Sequence, residues 1–318
     1  MKKVILIIMV LLATQSLSFS MDVPPQTSTI EVIPEVEFLK SYGSAGSADG
    51  QFFLPSDVYV TTVGNLTTRL NNIFITDTGN NRIERLDKDG DFVYQFGKFG
   101  AEGGQFNSPS GIVVDFNYYI YVVDKENSRI QQFDIYGNYV NSFGSFGKED
   151  GEFEDPYGIA MDSIGRIYIA DSGNDRIQKF ESRGSFIESF GSFGYGDGFF
   201  DGPLDVAIDK ASNIYVADTG NDRVQVLDEF GKPILIIDQY LKSPSAVSVD
   251  DYYIYVSSSG DDKVVIFDKQ GNFVLSFGGT GTDPGEFNNP QGISVSENYV
   301  FYVVDSGNQR IQKFKLIL

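Results

Sequence analysis

The chain has 318 residues, with 44 acidic and 24 basic side chains and a formal net charge of −20 at pH 7. Such an acidic surface repels phosphate backbones and anionic lipid headgroups, which argues against nucleic acid as a partner. The sequence contains no histidine and no cysteine. This excludes imidazole general bases, Ser-His-Asp arrangements, thiolate nucleophiles, disulfides and zinc sites built from histidine or cysteine.

The N-terminal segment has the pattern of an export signal. Met1 is followed by two lysines, an unbroken apolar run over residues 4–13 and a small, mostly polar stretch up to residue 20. That apolar run is too short to span a bilayer, so we predict a signal peptide over residues 1–20. The protein is then secreted or held at the cell surface, with an uncleaved anchor as the alternative. Residues 21–34 are rich in Pro, Thr and Ser and are predicted to be a linker.

A segment of the form Asp-x-x-Asn-x-Arg recurs along the rest of the chain, with spacings of 47, 47, 47, 40 and 47 residues. The pairs are Asp77 with Arg82, Asp124 with Arg129, Asp171 with Arg176, Asp218 with Arg223 and Asp305 with Arg310, while the fifth copy has Ser258 and Lys263. Each unit has room for four short strands and their turns. We therefore predict an all-β fold, a six-bladed β-propeller that occupies residues 35–318 as one domain.

The third unit shows the expected strand order. Strands are predicted at 158–162, 166–170, 176–180 and 185–190, joined by turns rich in Gly, Asp and Asn. Asp171 can accept hydrogen bonds from N–H groups two residues on, Gly173 and Asn174 tolerate positive φ, and Arg176 could pair with Asp171. A catalytic role for this pair is the alternative. We favour a structural one because the pair is present five times.

The two ends of the chain are predicted to complete the last blade together. Residues 42–55 match residues 143–156 at identical length, so they correspond to the end of an outer strand and the following crossing. The chain stops at Leu318, directly after a third strand. Residues 36–42 should therefore supply the missing outer strand of blade six and close the ring.

Phenylalanine recurs at the blade boundaries in two motifs. The Phe-Gly motif has Phe96, Phe143, Phe190 and Phe277, and the Gly-x-Phe motif has Phe106, Phe153, Phe200 and Phe287. We predict that these rings fill the space between adjacent blades, with an aromatic binding rim as the alternative.

Two units depart from the regular pattern. The first contains an insertion over residues 62–71 with the glycosylation sequon Asn65-Leu66-Thr67, so Asn65 is a candidate glycosylation site in an exported protein. The crossing from the fourth to the fifth unit, residues 238–244, is shorter and lacks the Gly-x-Phe motif. The surface that this crossing forms between the fourth and fifth units is predicted to be flatter than at the other boundaries.

Antiparallel order places the Asp-x-x-Asn turns and the blade-to-blade crossings on one side of the ring, here called the loop face; the other side is the hairpin face. Two opposed blades carry Asp57 and Asp205 where their inner strands begin, near the predicted channel mouth. Carboxylates converging on a channel suit a hard cation, so calcium is the candidate cofactor. Asp115, Asp162, Asp209 and Asp250 lie at the other ends of inner strands. The alternative for all of these residues is a turn cap.

The segments Tyr215–Gln225 and Pro156–Asp162 resemble the NHL repeat, and the resemblance extends over residues 36–318. It implies a six-bladed propeller that acts as an interaction platform through its loop face. RNA-binding relatives use a basic face, and lyase relatives depend on histidine; this chain has neither.

The expected function is therefore a non-catalytic binding scaffold. It would be a monomer that engages a protein, a peptide or a glycan at the cell surface. A calcium-dependent hydrolase or lactonase that uses carboxylates at the channel mouth is the alternative, and a structural envelope component is a third possibility.

Overall fold

The computed structural model describes residues 34–63 and 70–318, which form six antiparallel sheets of four strands each. Adjacent inner strands contact one another around the ring, and the inner strand of the first blade contacts that of the last. The described ranges contain no α-helix, and therefore no helix that could cross a membrane. The predicted signal peptide, most of the predicted linker and Asn65 lie outside the described residues.

The strands follow the repeat, and the third blade differs from its predicted bounds by at most two residues. Strand β1 is Glu35–Tyr42, and blade one consists of β2 (Asp57–Val63), β3 (Leu70–Asp77), β4 (Arg82–Leu86) and β5 (Phe92–Phe96). Blade two consists of β6 (Pro109–Val114), β7 (Ile120–Asp124), β8 (Arg129–Phe133) and β9 (Tyr139–Phe143). Blade three consists of β10 (Pro156–Met161), β11 (Ile167–Asp171), β12 (Arg176–Phe180) and β13 (Phe186–Phe190).

The remaining blades have the same order. Blade four consists of β14 (Asp205–Ile208), β15 (Ile214–Asp218), β16 (Arg223–Leu227) and β17 (Pro233–Ile237). Blade five consists of β18 (Pro244–Val249), β19 (Tyr253–Ser258), β20 (Lys263–Asp268) and β21 (Phe273–Gly278). Blade six contains β22 (Pro290–Val295), β23 (Val300–Asp305) and β24 (Arg310–Ile317).

The ring closes through β1, as predicted. This strand pairs antiparallel with β24, from Glu35 opposite Ile317 to Tyr42 opposite Ile311, with one irregularity in between. Blade six therefore takes three strands from the C-terminal end of the chain and its outer strand from residues 35–42. This arrangement covers the edge of β24, which would otherwise present unpaired backbone groups to solvent.

The hydrophobic core lies between adjacent blades. The Gly-x-Phe rings, Phe106 among them, are fully buried, and the Phe106 ring lies 5.4 Å from that of Phe133. Gly97, the glycine of the Phe-Gly motif at this boundary, has φ +94°, and a Cβ there would lie 2.5 Å from the Phe106 ring. Glycine is therefore required where the chain leaves the outer strand. The prediction that these rings fill the space between blades is confirmed.

The crossing into blade five does not make a flat boundary. It leaves a recess of about 320 Å³ lined by residues of β17, β20 and the turn before β21. Tyr240 in the short crossing packs against Phe273, with ring centroids 4.4 Å apart and the ring planes tilted by 35°. The prediction of a flatter surface was therefore wrong, because the missing loop exposes the space that it fills elsewhere.

Candidate functional site

The loops of the loop face are held by a repeated set of buried side chains, here called the clamp. In blade four the clamp is Asp218, Asn221, Arg223 and Gln225. One Asp218 oxygen accepts the N–H of Asp201 at 2.8 Å, and the other accepts Arg223 Nε at 2.7 Å and Gln225 Nε2 at 3.0 Å. Asn221 also donates to this carboxylate. Asp218 therefore joins its own turn to the loop that enters its blade.

The rest of the clamp binds loop backbone. Arg223 donates to the carbonyl oxygens of Tyr195, Gly196 and Phe199 at 2.9–3.0 Å. Gln225 donates to Phe199 O and accepts the N–H of Gly198. Four of these sets share the same chemistry: Asp124 with Asn127, Arg129 and Gln131; Asp171 with Asn174, Arg176 and Gln178; Asp218 with its partners; and Asp305 with Asn308, Arg310 and Gln312.

The predicted Asp–Arg pairs are present, but the predicted turn chemistry is wrong. Asp171 accepts no backbone N–H from its own turn and instead accepts the N–H of Glu154 in the entering loop. Positive φ occurs at Asp175, with φ 53°, and not at Gly173 or Asn174. Gly173 is needed because Glu154 O would lie 2.7 Å from a Cβ there. The residues of this turn therefore hold the loop that enters the blade. The pattern within one repeat unit does not show this contact.

Blade five replaces the whole clamp together with its loop. Lys263 pairs with Asp261 at 3.1 Å, and Ser258 donates to the same carboxylate at 2.7 Å. Val265 stands where the other blades have Gln or Glu. The crossing into this blade is the shortened one, so the loop segment that Arg and Gln hold in other blades is absent, although Ser258 still accepts the N–H of Lys242 at 2.9 Å. The shortened loop and the altered clamp are therefore one structural change.

Blade one has Glu84 at the clamp position that holds Gln in blades two, three, four and six. Its side chain is buried, with one oxygen 2.6 Å from Arg82 Nη2 and the other accepting the N–H of Gly50. Burial raises the pKa of Glu84 to about 7, the nearby Arg82 opposes the shift, and the Asp77 carboxylate adds to it. An ionised Glu84 is therefore destabilising.

We predict that Glu84→Gln stabilises the protein at pH 8 and changes little at pH 5. Because the pKa of Glu84 is raised in the folded state, its ionisation lowers stability as pH rises from about 4.5 to about 7. Gln restores the donor used in the other clamps, so the expected gain at pH 8 is about 2–3 kcal/mol. Urea unfolding at both pH values measures it, and an equal effect at the two values would contradict this account.

Asp57 and Asp205 lie at the mouth of a central cavity of about 220 Å³, which inner strands of all six blades line. The two oxygens of Asp57 accept the N–H groups of Val58 and Ile112, at 2.8 and 2.9 Å. Asp205 accepts the N–H of Val247 at 2.9 Å. Each carboxylate therefore bonds to the inner strand of the following blade. Asp57 and Asp205 lie where they were predicted, and in the structure they hydrogen-bond one blade to the next.

Both carboxylates are unusually hard to ionise. Burial raises the pKa of Asp57 to about 7, although the two backbone N–H groups lower it. Burial also raises the pKa of Asp205 well above its ordinary value, and the Asp57 carboxylate adds to that shift. The two groups therefore influence one another across the mouth of the cavity.

The pair does not offer a complete calcium site. Calcium takes six to eight oxygen ligands, whereas both Asp57 oxygens are already bonded to amides. Within residues 34–63 and 70–318, no cluster of three or more acidic side chains could hold a metal ion. Calcium at Asp57 and Asp205 thus lacks a preformed ligand set and stays a prediction.

A side-chain bridge crosses the channel beside these carboxylates. Tyr157 of blade three donates its hydroxyl to Gln291 of blade six, at 3.2 Å. Tyr157 follows Pro156 and Gln291 follows Pro290, at equivalent positions of opposed blades, and they were not identified as a pair from the sequence. Burial raises the pKa of Tyr157 to about 12, and the charges of Asp57 and Asp205 add to the shift. The loop-face entrance to the cavity is therefore narrowed by a neutral hydrogen bond.

The carboxylates at the other ends of the inner strands are turn caps. Asp209 accepts the N–H groups of Ala211 and Asn213 and the hydroxyl of Tyr215, at 2.9–3.0 Å. Asp115, Asp162 and Asp250 each cap their turns and bond a tyrosine in the same way. These groups do not converge on the channel axis.

Three phenylalanines on the loop face were also missed in the sequence. Phe99, Phe146 and Phe193 lie in the loops that enter blades two, three and four, with 70%, 72% and 63% of their surface exposed. They stand three residues after the phenylalanine of the Phe-Gly motif, in phase with the repeat. Their recurrence with the repeat was visible in the sequence. The sequence did not show, however, that this ring is exposed while the Phe-Gly and Gly-x-Phe rings of the same boundary pack between blades.

Comparison with known families agrees with this geometry. The profile described as a 6-bladed beta-propeller matches residues 55–143 and 238–317, which together exceed half of the chain. The chain belongs to this six-bladed β-propeller family. Two NHL repeats are also matched in the propeller, at residues 153–180 and 200–227, so the predicted NHL resemblance is confirmed.

One related sequence is the protein brain tumor of Drosophila melanogaster. It is 37% identical to this propeller over 73 residues, which is 23% of this chain and 6% of that protein. The match therefore spans a small part of the relative's length.

Solved structures share the fold at low identity. A gluconolactonase from Xanthomonas campestris has a TM-score of 0.62 and 14% identity, with 85% of this chain and 88% of that chain covered. A catalytically inactive virginiamycin B lyase from Staphylococcus aureus, with one histidine changed to alanine, has a TM-score of 0.57 and 13% identity, covering 89% and 100%. A structure from a nidogen/laminin complex has a TM-score of 0.54 and 16% identity, covering 75% and 96%. At this identity, the likeness concerns the fold alone.

Proposed function

We propose that this propeller is an exported or cell-surface binding scaffold that engages a partner on its loop face without catalysing a reaction. The observation that carries the proposal is the clamp. Buried Asp, Asn, Arg and Gln side chains fix the loop backbone from within, as Asp218 and Arg223 do in blade four. The loop tips remain exposed. A surface ordered before binding loses little conformational entropy when a partner docks.

The chemistry of the chain also favours binding over catalysis. The chain has no histidine, whereas the related lyase variant with one histidine replaced is inactive. The side chains that line the cavity are mainly aliphatic, and the carboxylates at its mouth are bonded to backbone amides. A relative in a nidogen/laminin complex supports a protein as the class of partner.

Site-directed photo-crosslinking on intact cells tests this proposal. A photoreactive residue would replace Lys148, which is exposed on the loop face, and in a matched protein Arg183, which is exposed on the hairpin face. The proposal expects a defined adduct from position 148 and none from position 183. Adducts from position 183 alone, or from neither position, would refute a loop-face scaffold. Cell fractionation of the same samples tests export.

A second candidate function is hydrolysis of a lactone by the channel-mouth carboxylates. The favourable observation is the pair Asp57 and Asp205, both with raised pKa values and both facing one cavity. The fold of a gluconolactonase is similar. Lactone turnover that requires calcium and disappears in Asp57→Ala would establish it. Absence of turnover over a panel of sugar lactones, with and without calcium, would rule against this hydrolysis and leave the binding scaffold as the proposed function.

A further inference from the structure

One sector of the loop face has an aromatic surface that the fold does not require. Phe99, Phe146 and Phe193, here called the aromatic arc, project from the loops that enter three consecutive blades. Each forms a parallel backbone bridge with the buried phenylalanine seven residues on. The bridge uses main-chain groups, and the rings themselves remain mostly in solvent. Exposed apolar groups in adjacent, equivalent positions indicate an interaction surface.

The same protein supplies the comparison that separates fold from function. Ala45 and Thr280 stand at the equivalent positions in the loops that enter blades one and six. They form the same bridges, to Phe52 and Phe287. A small or polar side chain therefore supports this loop conformation as well as phenylalanine does. The loop conformation therefore does not account for phenylalanine at these three positions, whereas contact with a binding partner would.

Acidic side chains outnumber the two exposed lysines of these loops, Lys98 and Lys148, and this balance indicates the chemistry of the partner. Glu102 and Glu149 follow their phenylalanines by three residues and Asp197 follows by four, and all three are exposed. Within residues 34–63 and 70–318, none of these three carboxylates forms an ion pair. Aromatic faces attract Arg and Lys, whose aliphatic stems pack on apolar surface while the charged head reaches a carboxylate.

A glycan fits this surface less well than a basic peptide. Phenylalanine carries no polar atom with which to bond sugar hydroxyls, whereas Tyr and Trp do. Tyr195 lies 6.3 Å from the Phe193 ring and is the one exposed tyrosine in these three loops. Exposed rings also occur on the hairpin face, but among the described residues no exposed ring recurs there at one position in three consecutive blades; Phe230 of blade four, for example, matches Tyr136 of blade two. The periodic arrangement favours an extended segment that passes over consecutive blades.

We infer that the aromatic arc binds an extended, Arg- and Lys-rich segment of a partner protein. This inference rests on the proposed loop-face scaffold and names its sector and the class of its ligand. The cationic side chains lie on the three rings and meet the adjacent carboxylates. The overall net charge of −20 attracts the segment, and the rings fix its position.

The test uses a fluorescent 12-residue peptide of alternating arginine and leucine, with a glutamate-leucine peptide of the same length as the charge control. The variant is the triple change Phe99→Thr, Phe146→Thr and Phe193→Thr, which introduces the side chain that Thr280 naturally has at this position. The matched control is Phe116→Thr with Phe230→Thr, which removes equally exposed rings from the hairpin face. Fluorescence anisotropy at 150 mM salt measures the affinities, and thermal unfolding verifies that each variant folds.

The expected result is at least a tenfold loss of arginine-peptide affinity in the triple variant, from about two- to fivefold per ring, and little change in the control. Unchanged affinity in the triple variant, an equal loss in the control, or binding of a neutral oligosaccharide in preference to the peptide overturns the inference. If crosslinking from position 148 persists in the triple variant, and this variant binds the arginine peptide as tightly as the wild-type protein does, the scaffold stands and the assignment of the arc fails. Absence of adducts from every loop-face position of the wild-type protein removes both proposals.

Discussion

Asp218→Ala is expected to lower the free energy of unfolding by about 3–5 kcal/mol, because it leaves a buried guanidinium without its counter-ion. Arg223 is 7% exposed, and its Nε lies 2.7 Å from the Asp218 carboxylate. The substitution also removes the acceptor for the N–H of Asp201 and for two side-chain amides. Unsatisfied buried donors add to the cost. Urea unfolding at pH 7 gives the value.

Blade five provides the control for this experiment. Asp261 pairs with Lys263 at 3.1 Å, but the two side chains are 32% and 43% exposed. Asp261→Ala is therefore expected to cost less than about 1 kcal/mol, since water replaces a lost partner at an exposed pair. Similar losses in the two variants would mean that the clamp contributes no more than a surface ion pair. A larger loss in Asp218→Ala locates the stability of the loop face in its buried carboxylates.

The fold was predictable because each blade repeats the same local pattern. Turn residues at fixed spacing and the match between residues 42–55 and 143–156 specify six blades and ring closure by β1. Contacts between repeats were harder to predict. Asp171 bonds to a loop residue 17 positions earlier, and Gly173 is needed for close approach to that same loop. A pattern within one unit does not contain that partner.

The candidate site was predictable in position and not in chemistry. Asp57 and Asp205 each follow a loop proline, Pro55 or Pro203, by two residues, and this position at the start of an inner strand predicted the channel mouth, where the structure has them. Their bonds to Ile112 and Val247 depend on the separation of neighbouring inner strands, which sequence periodicity does not give. Tyr157 and Gln291 meet across the ring although 134 residues separate them. Only the closed ring brings such positions together.

The wild-type protein is expected to be more stable at pH 5 than at pH 8, and Asp57→Ala is expected to flatten this dependence. The folded pKa of Asp57 is about 7, raised by burial from an ordinary value of 3.8. An acid with a raised folded pKa lowers stability as pH increases from its unfolded value to its folded value, and not beyond it. The interacting pair Asp57 and Asp205 would therefore account for at least about 2–3 kcal/mol between pH 5 and pH 8. The raised pKa of Asp205 acts in the same direction.

The informative quantity is the difference between the two pH values, because Asp57→Ala also removes the bonds to Val58 and Ile112 and destabilises at every pH. Urea unfolding at pH 5, 6, 7 and 8 gives that difference, and the double variant with Asp205→Ala should reduce it further. Asp197→Ala removes an exposed carboxylate from the same face and should preserve it. A wild-type profile that rises with pH, or one that Asp57→Ala leaves intact, would show that water or a bound cation reaches these carboxylates and keeps them ionised. The calcium site would then gain support, since a bound cation would offset the cost of burying two charged carboxylates.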